Sequence, residues 1–366
     1  MKKTNNKERT EPAGITTSYN PVSRTMTILD SSGNTIQDFS QRDIEYPTRV
    51  VFEIESFCSS GCKYCSEGKD TKCRRNIPKE RLVELIDEVE EMKVHELTLR
   101  GGEATEHPYF NEVWDYASKR EISTPNLITN GMALDKKRVD KILANPNSKL
   151  IVSLDGFKET NSINRNPKQY DIVMSWLPQA IKEHPEQLVV LSCLYRQNYN
   201  EVPKFAKFLA ELGIGHYHLP PLKRLGRSEM ADENFVSLNE MNTLQRKLEE
   251  IAGEFNGFRP VISCAELEKF AENKTKDIPV PLFNEMYYGS GMKITPEGNI
   301  MVNRGIMFTD RFKSEINTPV CLEPLGNIKN KSLKQIWKES RDLRLQQEKI
   351  ANKHYAYYLG WLNSLK

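Results

Sequence analysis

The sequence predicts an α/β fold centred on a parallel sheet, and three observations carry that prediction. From Thr48 onward, short apolar runs alternate with segments of helical apolar spacing. The alternation repeats six times before Pro220-Pro221, the order that produces right-handed βαβ crossovers. The strand-like runs end in glycine or polar residues, and in a full or partial barrel those ends share one rim where chemistry collects.

The elements follow in order. Residues 1–14 are polar and read as disordered, and residues 15–37 as two short strands around the turn cluster Ser31-Ser32-Gly33-Asn34. The first barrel strand runs from Arg49 to Ile54. Its helix opens at Pro78, a favoured first-turn residue, and Leu82, Leu85, Ile86 and Val89 keep helical spacing. Strands over Glu96–Leu99, Asn126–Thr129, Lys149–Leu154, Gln187–Tyr195 and Ile214–Leu219 continue the series. Their helices fall near Tyr109–Lys119, after Leu134-Asp135, and over Tyr170–Lys182 and Val202–Leu212. Tyr109, Trp114 and Tyr116, at helical spacing, read as core. Beyond Pro221 the texture changes. Residues 233–256 read as a surface helix, Met292–Ile294 and Asn299–Val302 as strands around Pro296-Glu297-Gly298, and Ser332–Glu348 and Lys353–Leu365 as helices.

Composition narrows the function classes. The chain has 366 residues, and 52 basic against 50 acidic residues leave a formal charge of +2. That balance gives no electrostatic case for a nucleic-acid or membrane partner. No apolar run reaches the ~20 residues that span a bilayer, and no apolar segment follows the charged N-terminus, so a cytoplasmic location is expected by default. Seven cysteines, an odd number, include three within eight positions, which reads as metal binding or catalysis rather than disulfide stapling.

Those three are Cys58, Cys62 and Cys65, in C-x-x-x-C-x-x-C spacing just after the first strand. Thiolates are good iron-sulfur ligands, and three in one loop leave one iron of a cubane open to a small molecule. The alternative is a structural zinc site with a distant fourth ligand such as Cys73, in a non-catalytic binding protein. Gly101-Gly102-Glu103, Thr129-Asn130-Gly131, Ser153-Leu154-Asp155-Gly156 and Tyr195-Arg196 would gather on the same rim. His216 and His218 alternate along the sixth strand, as acid-base groups or as structural histidines.

With these residues the sequence resembles the radical S-adenosylmethionine (radical SAM) superfamily over roughly residues 48–228. The cysteine loop, with Tyr64 before its last cysteine, is similar to the superfamily signature, and Gly101-Gly102-Glu103 resembles the motif that holds the SAM amino group. The resemblance implies a partial (β/α)6 TIM-like barrel, one [4Fe-4S] cluster on Cys58, Cys62 and Cys65, and S-adenosylmethionine on its open iron. It implies reductive cleavage to a 5′-deoxyadenosyl radical that takes hydrogen from substrate, and an electron donor such as flavodoxin or ferredoxin. Ser153 and Leu219 are implied as SAM contacts. Arg165 is implied near the SAM carboxylate, or is a surface loop arginine. Arg196-Gln197-Asn198 and Gly226-Arg227 resemble further barrel motifs.

The C-terminal region resembles a SPASM or twitch extension, a small α+β module. Gly289 to Ile300 follows its hairpin pattern, and Leu325-Gly326-Asn327-Ile328 with the Leu333–Trp337 segment follows its close. Its cluster cysteines are missing: Tyr288 and Asn303 stand near their places, and only Cys264 and Cys321 lie beyond the barrel. The expected organisation is a tail and hairpin over 1–47, a core barrel over 48–228 and an extension over 229–366. Without an auxiliary cluster to accept electrons, the expected outcome is redox-neutral, such as epimerisation. Cys193 and Cys321 are the candidate hydrogen donors, or buried cysteines that only pack. A peptide substrate, with a natural-product precursor in view, is the leading expectation, and a sugar or aminoglycoside-type metabolite the rival.

Overall fold

The computed structural model describes residues 7–10, 16–20, 25–29, 32, 44–65, 74–122, 124–223, 232–263, 278–279, 291–302, 323–347 and 364–365. The barrel begins with β4 (Arg49–Glu55), in which every residue after Arg49 is buried. Burial on both faces is what a central parallel strand requires, and its run of Val, Val, Phe and Ile supplies it. Helix α1 (Lys79–Glu91) buries Leu82, Leu85, Ile86 and Val89, the predicted stripe, against the sheet.

The same unit repeats along the chain. Strands β5 (Glu96–Gly101), β6 (Thr124–Thr129), β7 (Lys149–Ser153), β8 (Leu188–Leu191) and β9 (His216–Leu219) pair in parallel, each with the next. The helices between them are α2 (Phe110–Ala117), α3 (Lys136–Ile142), α4 (Lys158–Asn164), α5 (Gln169–Glu183), the single turn α6 (Arg196–Tyr199) and α7 (Val202–Leu212). Trp114 is buried as expected, but Tyr109 is 48% exposed, because it stands just outside α2 and Phe110 takes the inward position.

The expected surface helix is α8 (Leu238–Glu254), and it is half core. Met241, Leu244, Gln245 and Leu248 are buried, and β10 (Arg259–Ile262) follows in parallel beside β9. A sixth β/α unit and a seventh parallel strand therefore continue the barrel past Pro221.

The extension joins the other edge of the sheet. Strand β12 (Gly291–Ile294) pairs in parallel with β4, Met292 opposite Val50. It then turns back into β13 (Asn299–Val302), which pairs with the short β14 (Gly326–Asn327). Gly298 takes φ +86° in the turn, a conformation that favours glycine. The result, among the described residues, is a ten-stranded sheet of order β10-β9-β8-β7-β6-β5-β4-β12-β13-β14. Helix α9 (Leu333–Glu339) fixes the extension to the barrel by burying Trp337, whose ring nitrogen donates to the Ile44 carbonyl.

The N-terminal region differs from expectation. Residues 7–10 form β1 (Lys7–Thr10) rather than a disordered tail. The hairpin is β2 (Thr16–Asn20) against β3 (Thr25–Leu29), so both strands lie before Ser31-Ser32-Gly33-Asn34 rather than on either side of it. With β11 (Ile278–Pro279) these strands make a second, four-stranded sheet. Tyr19 donates to Glu96 at 3.1 Å, Thr17 Oγ1 lies 3.0 Å from His95, and Arg9 donates to the Tyr46 and Pro47 carbonyls. His95 and Glu96 stand where β5 begins, so this sheet covers the N-terminal rim of the barrel, away from the cysteine loop. Burial, with Arg9 nearby, lowers the His95 pKa to about 3 and keeps the ring neutral.

Candidate active site

The chain leaves β4 at Glu55 and enters the cysteine loop at the C-terminal rim. Gly102 N–H donates to the Glu55 carbonyl at 2.6 Å, and Glu103 N–H to the Phe57 carbonyl at 2.8 Å. A Cβ on Gly101 would stand 2.2 Å from the Glu55 oxygen, and one on Gly102 2.2 Å from the Phe57 oxygen. The two glycines therefore let the backbone after β5 lie directly against the start of the cysteine loop.

Glu103 ties the next strand to this contact. It is 2% exposed. Its Oε1 accepts the Thr105 N–H and the hydroxyls of Thr105 and Thr129, and its Oε2 accepts the Asn130 N–H at 2.7 Å. Burial raises its pKa, against the pull of these hydrogen bonds. Asn130 then points Nδ2 at Cys58 Sγ, 3.8 Å away. Gln169 Nε2 donates at 2.7 Å to both the Asn130 and the Ser153 carbonyls, which carries the connection on to β7.

Asp155 makes the remaining links. Tyr64 donates its phenol to Oδ2, Arg165 Nε lies 2.8 Å from the same oxygen, and the Cys193 N–H donates to Oδ1 at 3.0 Å. Asn198 donates to the Asp155 and Cys193 carbonyls. Arg165 is 9% exposed, which excludes the surface-loop alternative. Its Nη1 reaches to 3.9 Å from Cys62 Sγ, and its guanidinium carbon sits 5.4 Å from the Tyr64 ring centroid. Burial pulls the Arg165 pKa down, but Asp155, Tyr64 and Cys62 outweigh it and the net shift is upward.

The rim residues singled out in the sequence thus come together, with corrections of detail. Cys193 is not on the fifth barrel strand, because β8 ends at Leu191. It packs beside the apolar cluster of Tyr64, Tyr195, Leu222 and Phe235. Ser153 is buried at the end of β7. Leu219 is fully buried at the end of β9, opposite Ile262. His216 and His218 are both buried on β9. Cys73, Gly226-Arg227, Cys264, Tyr288, Asn303 and Cys321 lie outside the described residues. Thr129, Asn130, Asp155 and Asn198 stand in the rim and barrel motifs of the sequence without an individual role there, whereas Thr105 and Gln169 carry no sequence signal at all.

The donor set suits a thiophilic metal cluster. Cys58, Cys62 and Cys65 are all free and partly buried. Burial pushes the Cys58 thiol up to about 12, eased by the Ser60 N–H and worsened by Glu103, Cys62 and Glu106. Such a group becomes a thiolate when a cation compensates it. Ser60 Oγ stands 3.4 Å from Cys62 Sγ, and Asn130 and Arg165 aim N–H groups at two of the three sulfurs. Hydrogen bonds to the sulfurs are a feature of iron-sulfur sites.

The family model described as the radical SAM superfamily matches residues 53–209, the span that holds this rim. The chain carries a radical SAM domain. The cofactors of a radical SAM domain are S-adenosylmethionine and a [4Fe-4S]-type cluster, and the C-terminal region of this chain resembles a SPASM/twitch extension without a clustered auxiliary-cluster cysteine motif. Among curated proteins it is similar to the mycofactocin maturase MftC of Mycolicibacterium smegmatis, 24% identical over 51% of this chain and 48% of the relative. It is also similar to the AdoMet-dependent heme synthase of Methanosarcina barkeri, 26% identical over 51% of this chain and 54% of the relative. The chain thus spans about half the length of these curated relatives. Among solved structures, SuiB of Streptococcus suis bound to S-adenosylmethionine superposes with a TM-score of 0.62 at 16% identity, over 80% of this chain and 66% of that one. SuiB has also been solved with its precursor peptide SuiA (TM-score 0.61, 15% identity, 80% and 65% coverage). Among the described residues no helix is long and apolar enough to cross a membrane.

Proposed function

We propose that this radical SAM enzyme modifies a peptide substrate with a redox-neutral outcome such as epimerisation. The observation that carries the proposal is the three-thiol loop facing the Tyr64–Asp155–Arg165 group at the C-terminal rim. In this reading Cys58, Cys62 and Cys65 hold the cluster. Gly101, Gly102, Glu103, Ser153, Arg165, Tyr64 and Leu219 surround S-adenosylmethionine. When bound, the cluster and S-adenosylmethionine supply reductive sulfur–carbon cleavage and hydrogen-atom abstraction.

The protein's own residues orient and protect that chemistry. Glu103 Oε2 has lone-pair capacity beyond its Asn130 bond and can accept an ammonium. The Arg165 guanidinium suits a carboxylate. Tyr64 and Tyr195, with ring centroids 5.7 Å apart, give an apolar wall that excludes water. Burial raises the Cys193 pKa, so its sulfur keeps the hydrogen that a donor to a carbon radical must carry. MftC is named as a maturase and SuiB is solved with a precursor peptide, and both favour a peptide. The redox-neutral outcome rests on the extension, whose sequence holds only Cys264 and Cys321.

Anaerobic reconstitution, dithionite reduction and chromatography test the enzyme reading, with 5′-deoxyadenosine and methionine expected from S-adenosylmethionine. A short peptide encoded beside this gene, incubated in D2O, should gain one deuterium and keep its oxidation state. A product two mass units lighter would overturn the redox-neutral claim. The heme synthase relative favours a second reading, a tetrapyrrole substrate, and turnover of an iron porphyrin in place of the peptide would select it.

A further inference from the structure

We infer that the buried Asp155–Arg165 ion pair sets the reduction potential of the cluster site, with Asp155 acting as the positioning residue that holds Arg165 against Cys62. The inference rests on the cluster assignment proposed above.

The geometry is asymmetric. Arg165 Nη1 lies 3.9 Å from Cys62 Sγ, while its Nε lies 2.8 Å from Asp155 Oδ2. The cationic end therefore faces the sulfur, and the carboxylate sits behind it. The two side chains are 6% and 0% exposed, so solvent screens neither charge. A fixed charge in such a place acts on any nearby group that changes its electron count. A cation favours the reduced cluster, which carries one more negative charge, and an anion disfavours it.

Asp155 is held where it stands. Its carboxylate takes the Tyr64 phenol and the Cys193 N–H. Its backbone N–H donates to Asn161 Oδ1 at 2.9 Å, and its carbonyl accepts Asn198 Nδ2 at 3.0 Å. Arg165 is fixed from the loop side as well, because the Lys63 N–H donates to the carbonyl of Asn164, its chain neighbour. Asp155 is thus anchored through its carboxylate from the cysteine loop and the turn after β8, and through its backbone from α4. The guanidinium pairs with this buried carboxylate, both of whose oxygens are held by other groups as well.

A merely structural pair would behave differently. Removing either partner leaves one buried charge uncompensated, and both losses destabilise the fold in the same direction. The potential responds with opposite signs. Asp155→Asn keeps a side-chain oxygen to accept the Arg165 Nε–H but removes the negative charge, so the held cation is left uncompensated beside Cys62 and the midpoint should shift upward. Arg165→Gln leaves a net negative charge and should shift it downward. Arg165→Lys keeps the cation and should stay nearer the wild type than Arg165→Gln does.

The test is an EPR-monitored redox titration of reconstituted full-length wild type, D155N, R165Q and R165K, without S-adenosylmethionine, with iron and sulfide counted per chain. Opposite shifts in D155N and R165Q at wild-type iron content, with R165K between R165Q and wild type, are the expected result. Shifts of the same sign, or none, overturn the inference. Loss of iron from both D155N and R165Q overturns it too, because the pair would then hold the loop rather than tune it. A wild-type chain that takes up no cluster overturns the cluster assignment itself, which the iron count reveals before any potential is read.

Discussion

Glu103 Oε2 accepts the backbone N–H of Asn130 at 2.7 Å, and this bond joins the glycine-rich turn to the residue beside Cys58. Glu103→Ala leaves four buried donor groups without their acceptor. The expected loss of stability is about 1–3 kcal/mol. Affinity for S-adenosylmethionine should fall roughly 10- to 100-fold, the value of a charged hydrogen bond. Chemical denaturation and equilibrium binding read the two effects separately.

The cysteine loop makes a compositional prediction. Reconstituted wild type should carry about four irons per chain, since one loop supplies one cubane. Cys58→Ala, Cys62→Ala and Cys65→Ala should each lose the iron and the visible absorbance, whereas Cys193→Ala should keep both. About eight irons would show a second cluster. Zinc without visible colour would return the non-catalytic reading.

Gly102→Ala should damage the site from the backbone. The new Cβ meets the Phe57 carbonyl at 2.2 Å, and neither partner is a flexible side chain. The strain should cost about 1–3 kcal/mol or more. Thermal unfolding measures it. Gly253, whose added Cβ meets nothing within 4 Å, is the control position.

How much of this was legible beforehand depends on distance along the chain. Leu82, Leu85, Ile86 and Val89 announce α1 because helical burial repeats locally. The cysteines announce themselves because three ligands share eight positions. Asp155 does not, since Asp-Gly is an ordinary turn until the fold brings Tyr64, 91 residues away, and Cys193, 38 residues away, to its two oxygens. The pairing of β12 with β4 was equally hidden, because a short Met-Lys-Ile run carries no sign of which edge it will join.

Acid stability should depend on Glu240. Arg196 holds it in two hydrogen bonds, of 2.6 and 2.9 Å, and joins α6 to α8. That pairing, with help from Ser237 and against burial, lowers its pKa from 4.5 to about 2. A depressed carboxyl stabilises the fold above its unfolded value and stops doing so as pH falls through its folded value. Arg196 and Glu240 are 36% and 30% exposed, so solvent screening leaves the pair about 1 kcal/mol. Glu240→Gln should cost about that much near neutrality, and the difference from wild type should vanish between pH 4.5 and 2. Urea titrations across that range measure it.

The parallel seam between β4 and β12 also has a consequence for biogenesis. Val50 and its partner Met292 are about 240 residues apart, roughly 10–50 s of translation. Throughout that interval the strand that delivers Cys58 offers one bare flank of peptide groups to whatever else is in the cell. A nascent chain in that state is a client for chaperones and a template for stray strand addition. A chain interrupted before Gly291 would keep the bare flank permanently, so the cysteine-bearing barrel is not a piece that can be cut out and studied by itself without that cost.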